Sequence, residues 1–432
     1  MSPEILGVIG IVCVVLLIVL KIPIIISMAT IGFIGTCIIT NTDVALGLLS
    51  IIPYEQIASY TVTVIPLFML MGIVASSTNI SGDLFKAANS WLGRLPGGLA
   101  VAAIAACAGF AAVCGSSMAS SAAMGVVAIP EMDKFNYDRK LSSGSVCAAA
   151  SLGIMIPPSM GFILYSLITE ESIGLLFMAG ILPGILLAIL MMIVVVIKVI
   201  RNPKLAPLTE KTSMVEKIKS LIGVIPMLLL FLLVMGGIFM GIFTPTEAGG
   251  IGAVGAIAVS IIYGRFTLKI LFKSLQDTLF NVVNLLFLMV GAYVFMRFLA
   301  MTNLPYGIAN FVSSLTVPTY VLFACIIGVY ILLGMFLDII PAIVLTLPML
   351  YPTILNLGYD PIWFGVITVV FLELGHITPP VAVNAYVLSS AANVKIEDIF
   401  IGVWPFVLAM VVGIVILIWF PQIALYLPNM MR

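Results

Sequence analysis

Two stretches decide how this chain folds: SLGIMIPPSMGF (Ser151–Phe162) and ELGHITPPVAVNAY (Glu373–Tyr386). Each places a glycine and then a double proline in the middle of a long apolar run. Adjacent prolines remove two helix N–H donors and push the residues before them off helical geometry, so a helix entering either motif has to break. Carbonyls one turn earlier lose their partners, which membrane depth tolerates only where protein or a cavity supplies new ones. A packing kink accounts for one such motif. Two at matching positions argue for a shared function.

The surrounding chain belongs in a lipid bilayer. Of 432 residues, 62% are hydrophobic and 8% charged, against roughly 45–50% and about 25% in soluble domains, which excludes a soluble enzyme. The 18 basic residues balance 18 acidic ones, so no nucleic-acid footprint exists. At about 20 residues per crossing the length admits on the order of ten spans and no ATP-hydrolysing module; no phosphate-loop motif occurs either. Six cysteines without CxxC spacing and a single histidine, His376, indicate neither a disulfide framework nor a zinc site. The opening MSPEILGVIG has no basic run or cleavage site and reads as the start of the first span.

Apolar runs cover 5–20, 24–40, 57–77, 97–130, 141–168, 174–197, 224–243, 248–263, 277–300, 319–351, 362–393 and 398–420. Runs 97–130 and 319–351 are too long for one crossing, too short for two, and interrupted midway, at Cys114–Ser117 and Gly334–Asp338. Both are read as re-entrant helical hairpins, leaving ten spans. With both termini outside and both hairpins returning to their side of entry, 16 of the 18 basic residues fall on the cytoplasmic side, as the positive-inside rule requires. Arg432 is then outside and Arg297 lies within a span.

Sliding the chain by 222 residues superimposes Pro130 on Pro352, Gly153 on Gly375, Pro157 and Pro158 on Pro379 and Pro380, Gly180 on Gly402, and Pro183 on Pro405. Composition alone gives about 0.6 such coincidences, so the match marks an internal repeat. Five spans per half is an odd number, so the second half is inverted, as in secondary transporters. The expected organisation is a first repeat over 1–200, a linker over 201–223 and an inverted second repeat over 224–432. The polar stretch Arg201–Ser220 fits either a solvated cytoplasmic linker or an amphipathic helix along the inner surface.

The breaks and hairpin tips supply the candidate site. Freed carbonyls are hard ligands suited to Na⁺, and the N-terminus of each following half-helix favours an anion. Two Na⁺ sites are expected, one per repeat. The first takes Ser116 and Ser117 with the backbone of Gly153, Ile154 and Ile156; the second takes Gly334, Asp338, Gly375 and Thr378. Asp338 fits a helix cap and an ion ligand equally, and the two roles are compatible. The substrate is expected between these sites, against Pro158, Ser159, Pro380, Val381 and Asn384. Arg297 either snorkels to the surface or contacts an anion. Glu247 is read as a helix-start acid, and Glu373 and His376, three apart, as a possible pair or as packed polar residues.

The Gly-x-x-Ile-Pro-Pro-Ser run, the E-x-G-x-x-T-P-P-V segment and the Gly-Ser-Ser tip together resemble the large membrane subunit of TRAP transporters, the tripartite ATP-independent periplasmic uptake systems of bacteria and archaea. The resemblance covers essentially the whole chain; one departure is Ala382 where glycine is expected. It implies an all-α polytopic membrane protein of the ion-transporter superfamily, with a scaffold, an elevator-type transport domain and a place in the bacterial inner membrane. It further implies uptake, coupled to two or more Na⁺ ions, of an organic carboxylate: a sugar acid such as sialic acid, towards which the reading leans, or a C4-dicarboxylate. The implied partners are a small four-helix membrane subunit and a periplasmic substrate-binding protein. A stand-alone Na⁺/dicarboxylate symporter or antiporter of the same superfamily is the alternative. An intramembrane enzyme lacks support, because no Ser–His, paired-Asp or metal-ligand constellation stands among the spans.

Overall fold

The computed structural model describes residues 2–78, 80–207, 213–314 and 318–431. Arg432 and the linker residues 208–212, which include Lys211, lie outside them. Every regular element among the described residues is helical. Each of the ten runs read as spans is occupied by a helix or a broken pair. Among the described residues, seven helices have the length and apolarity to cross a membrane, or up to nine if each bent pair is one span. That set includes both arms of the second hairpin, and it leaves out Pro3–Val19, Ile24–Ile39 and Pro361–Ile377, which are 16 or 17 residues long.

The first interrupted run forms two helices, Gly98–Cys114 and Ser117–Lys134, joined at Gly115 and Ser116. Gly115 has φ +64° and lies against the Pro158 carbonyl, where a Cβ would sit 2.7 Å from the oxygen. Only glycine meets both demands at low cost. The second run forms Thr319–Phe336 and Ile339–Asn356, joined at Leu337 and Asp338. Its turn falls later than the sequence suggests, because Gly334 stays helical.

Both double prolines break their helices. Arg139–Ala150 and the single turn Leu152–Met155 lead into Ile156–Ser159, after which Met160–Thr169 resumes at a 40° bend. Pro361–Ile377 stops before Thr378–Ala382, and Val383–Ala392 follows. The Pro157–Pro158 and Pro379–Pro380 bonds are both cis. Gly153 and Gly375 therefore lie inside the helical turns before the breaks, not in the breaks.

The broken helices and hairpins interlock in one large apolar core. Arg139–Ala150 crosses Ile396–Trp419 with Gly144 against Gly402, where a Cβ on Gly402 would fall on the Lys140 carbonyl. Tyr165 at the first break reaches across to the second broken helix, donating its hydroxyl to the Pro361 carbonyl at 2.7 Å. A smaller core joins Val14 and Met28 to Phe295, Phe298 and Leu299, beside the crossing of Ile24–Ile39 and Leu268–Met301. The latter helix has 34 residues and, with Tyr60–Ser77, faces the hairpin tips.

Four helices were passed over in the sequence reading: Thr42–Ile57, Ile80–Leu92, Leu304–Ser314 and Gln422–Met431. Each is short or of mixed polarity, so none registers as an apolar run. In the linker, Met214–Ile222 opens with a capping box between Ser213 and Glu216 and leaves Met214, Val215, Ile218 and Ile222 exposed. Trp91 Nε1 donates to the Lys217 carbonyl at 3.2 Å, and Lys217 Nζ stands 5.6 Å from the Trp91 ring centre.

Candidate functional site

A cavity of about 360 Å³ opens between the hairpin tips and the helices Val64–Ser77 and Leu268–Met301. Its lining brings together Ser116 and Ser117 from the first tip, Asp338 from the second, Ile154 before the first break, and Met160 just after it. Two residues outside the predicted site set join them, Asn281 and Asn284. Among the described residues, no lysine or arginine lines this cavity.

The tips are shaped by their caps. Ser116 Oγ accepts from Ala119 N at 3.3 Å, and Asp338 Oδ1 accepts from Ile339 N at 2.8 Å. Each side chain satisfies an orphan donor of the helix it opens. Both keep acceptor capacity, because a hydroxyl oxygen has two lone pairs and a carboxylate has about four acceptor sites.

Backbone contacts place the remaining predicted ion ligands. Gly153 packs on the first tip, where a Cβ would stand 2.6 Å from the Ser116 carbonyl. Pro157 and Pro158 carry no N–H, so the Gly153 and Ile154 carbonyls lack their usual helical donors. In the second half Gly375 packs directly on Gly334. The Gly375 carbonyl there already accepts from Thr378 N at 3.0 Å, and the Thr378 hydroxyl donates back to Leu374 O.

The predicted substrate contacts are dispersed. Ser159 is fully buried, and its Oγ accepts from Phe162 N at 3.4 Å. Pro158 is buried behind Gly115, Val381 is half-buried and Pro380 is exposed. Asn384 is fully buried and donates through Nδ2 to Glu373 Oε2 at 3.2 Å, while its main-chain carbonyl accepts from Ser121 Oγ at 2.9 Å. Arg297 lies in a separate cavity of about 680 Å³, with Glu55, Glu170 and Glu171. It stands about 20 Å along its helix from Asn284. The structure does not bring Arg297 to the tips.

Glu373 and His376 lie between the tips and the second break, both fully buried. His376 Nδ1 and Glu373 Oε1 are 3.8 Å apart, beyond hydrogen-bond length. His376 Nε2 is 3.0 Å from the Leu337 carbonyl, which can only accept, so Nε2 carries the hydrogen. Asp338 Oδ1 is 3.9 Å from the same nitrogen. Glu373 accepts from Asn384 through Oε2, while its Oε1 is buried without a hydrogen-bond partner among the described residues. Elsewhere, Glu247 closes a capping box with Thr244 and serves as a helix-start acid.

Sequence reasoning missed Asn281 and Asn284. Their signal was available: two amides three residues apart, on one face, halfway along an apolar helix.

Comparison with known proteins follows the same lines. The family model for the DctM component of the tripartite ATP-independent periplasmic transporter matches residues 11–423. The C4-dicarboxylate TRAP transporter large permease of Pseudomonas aeruginosa is 34% identical over 377 residues, covering 87% of this chain and 88% of that protein. The sialic acid TRAP transporter large permease of Vibrio cholerae is 29% identical, covering 87% of each. Among solved structures, the YdaH transporter of Alcanivorax borkumensis aligns over 99% of both chains, with a TM-score of 0.65 and 15% identity. That likeness concerns the fold.

Proposed function

We propose a function that starts from membership: this chain belongs to the DctM-component family of tripartite ATP-independent periplasmic transporters, and within it acts as the membrane-embedded path for an organic carboxylate. Its relatives are permeases, and it is a multi-pass protein of the inner membrane. Na⁺ binding at the tips drives uptake. Ser116, Ser117 and the Gly153–Ile156 carbonyls hold one ion; Asp338 and the Gly334 and Gly375 turns hold the other. These are oxygen donors only, which suits a hard cation. The ion contributes positive charge beside the substrate, and this chain's residues position both.

The observation that carries the reading is convergence. Both tips and the start of the first half-helix meet at one cavity whose single fixed charge is Asp338. A carboxylate there faces the positive dipole end of the half-helix that starts at Met160, and a bound cation, without a fixed lysine or arginine. The 222-residue repeat, with halves at 1–200 and 224–432, supports an inverted arrangement in which the tips and broken helices travel together as an elevator. Family membership implies a small membrane subunit and a periplasmic substrate-binding protein as partners. Relatives named for C4-dicarboxylates and for sialic acid bound the substrate to organic acids.

The test is reconstitution with the small subunit and the binding protein, followed by uptake of labelled carboxylates under an inward Na⁺ gradient. Asp338→Asn is expected to remove most Na⁺-dependent uptake while the protein still assembles. Equal wild-type uptake in choline buffer overturns the ion assignment. Full uptake without the binding protein favours the stand-alone symporter.

A further inference from the structure

The helix Leu268–Met301 divides into three faces. Ser274, Thr278, Leu285 and Leu288 are buried against neighbouring helices, while Leu279, Phe280, Val283 and Phe287 are directed outward. Between these faces runs a polar edge at Lys273, Asp277, Asn281 and Asn284, spaced four, four and three residues apart. Such spacing keeps all four on one side of a helix. The edge starts near the helix N-terminus and ends in the cavity.

Asn281 and Asn284 both line that cavity, opposite the hairpin tips. Among the described residues neither side chain has a hydrogen-bond partner. Polar groups deep in a span are costly and by default functional. Packing glue between helices is the usual structural reason for an intramembrane amide, but these two face open space. An amide also differs from the Asp338 carboxylate on the tip side. It offers donors and an acceptor at once, whereas a carboxylate group needs donors alone. Hydroxyl groups, which both donate and accept, are its complement.

We propose that Asn281 and Asn284 bind the hydroxyl groups of the transported acid and make the cavity selective for hydroxylated over unsubstituted carboxylates. The inference rests on the cavity being the substrate site. The acid end lies towards Ser116 and Met160, and the hydroxylated tail lies along the amide edge.

The test uses the full-length protein in nanodiscs with NaCl, titrated calorimetrically with gluconate against hexanoate and malate against succinate. Each pair differs in hydroxyl groups alone. Wild type is expected to prefer the hydroxylated member. Asn281→Leu and Asn284→Leu are each expected to reduce that preference roughly fivefold, with hexanoate or succinate binding retained as proof of folding. Asn284→Gln, which keeps the amide, is expected to retain part of the preference. A preference unchanged in both leucine variants overturns the inference and leaves the cavity reading intact. Wild type that binds neither pair, or binding indifferent to Ser116→Ala and Asp338→Asn, overturns the cavity reading and the inference with it.

Discussion

The two helix breaks share the same Gly-x-x-x-Pro-Pro grammar and end differently. At the first, Ser159 is extended (φ −124°) and its hydroxyl accepts from Phe162 N, so the new half-helix is closed by its own cap. At the second, Ala382 occupies the left-handed region (φ +52°, ψ +70°) and no side chain caps Val383–Ala392. The first break is sealed in the core, whereas the second has Pro380 exposed. What fixes the second is a bridge across the break, from Asn384 to Glu373. One motif thus gives a side-chain-capped junction in one half and a strapped one in the other.

The largest expected effect comes from cutting the strap. Asn384→Ala removes a donor from a fully buried carboxylate and is expected to cost about 1–3 kcal/mol, read as a lower thermal unfolding midpoint of the purified protein. An unchanged midpoint would mean that the second break is held by backbone packing alone. Next comes the cap. Ser159→Ala is expected to cost about 1 kcal/mol, and Ser159→Gly only a few tenths. If the glycine variant regains stability but not uptake, the hydroxyl has a role beyond capping. The smallest effect is expected at Ala382→Gly. Removing a Cβ from the left-handed region relieves roughly 1–2 kcal/mol of strain, offset by about 0.5–1 kcal/mol of added chain entropy. The expected outcome is a small gain in midpoint, with the same change at Ser159 a small loss.

The breaks were legible because proline acts locally: a missing N–H at Pro157 or Pro379 disturbs a carbonyl four residues earlier, wherever the chain later goes. The hairpins were legible for a similar reason, since run length and an interruption are local. Ser116, Ser117 and Asp338 were found through their position at the tips. Asn281 and Asn284 were not, because their meaning depends on a cavity whose other wall lies well over a hundred residues away in the Ser116 tip. The Asn384 bridge was hidden too. A straight helix would put residues 373 and 384 on one side but about 16 Å apart; the turn at the prolines brings them within hydrogen-bond range. Ala382 was singled out by resemblance alone, and its positive φ now supplies the physical reason that glycine belongs there.

The contact of Gly144 with Gly402 has a mechanical consequence. With backbone laid on backbone and a carbonyl where a methyl would go, the first broken helix and Ile396–Trp419 have no side chain between them at the point where Gly144 meets Gly402. Close-packed interiors transmit displacement instead of absorbing it. A displacement of Arg139–Ala150 is therefore passed directly to Ile396–Trp419, the two acting as one strut joined where the glycines meet.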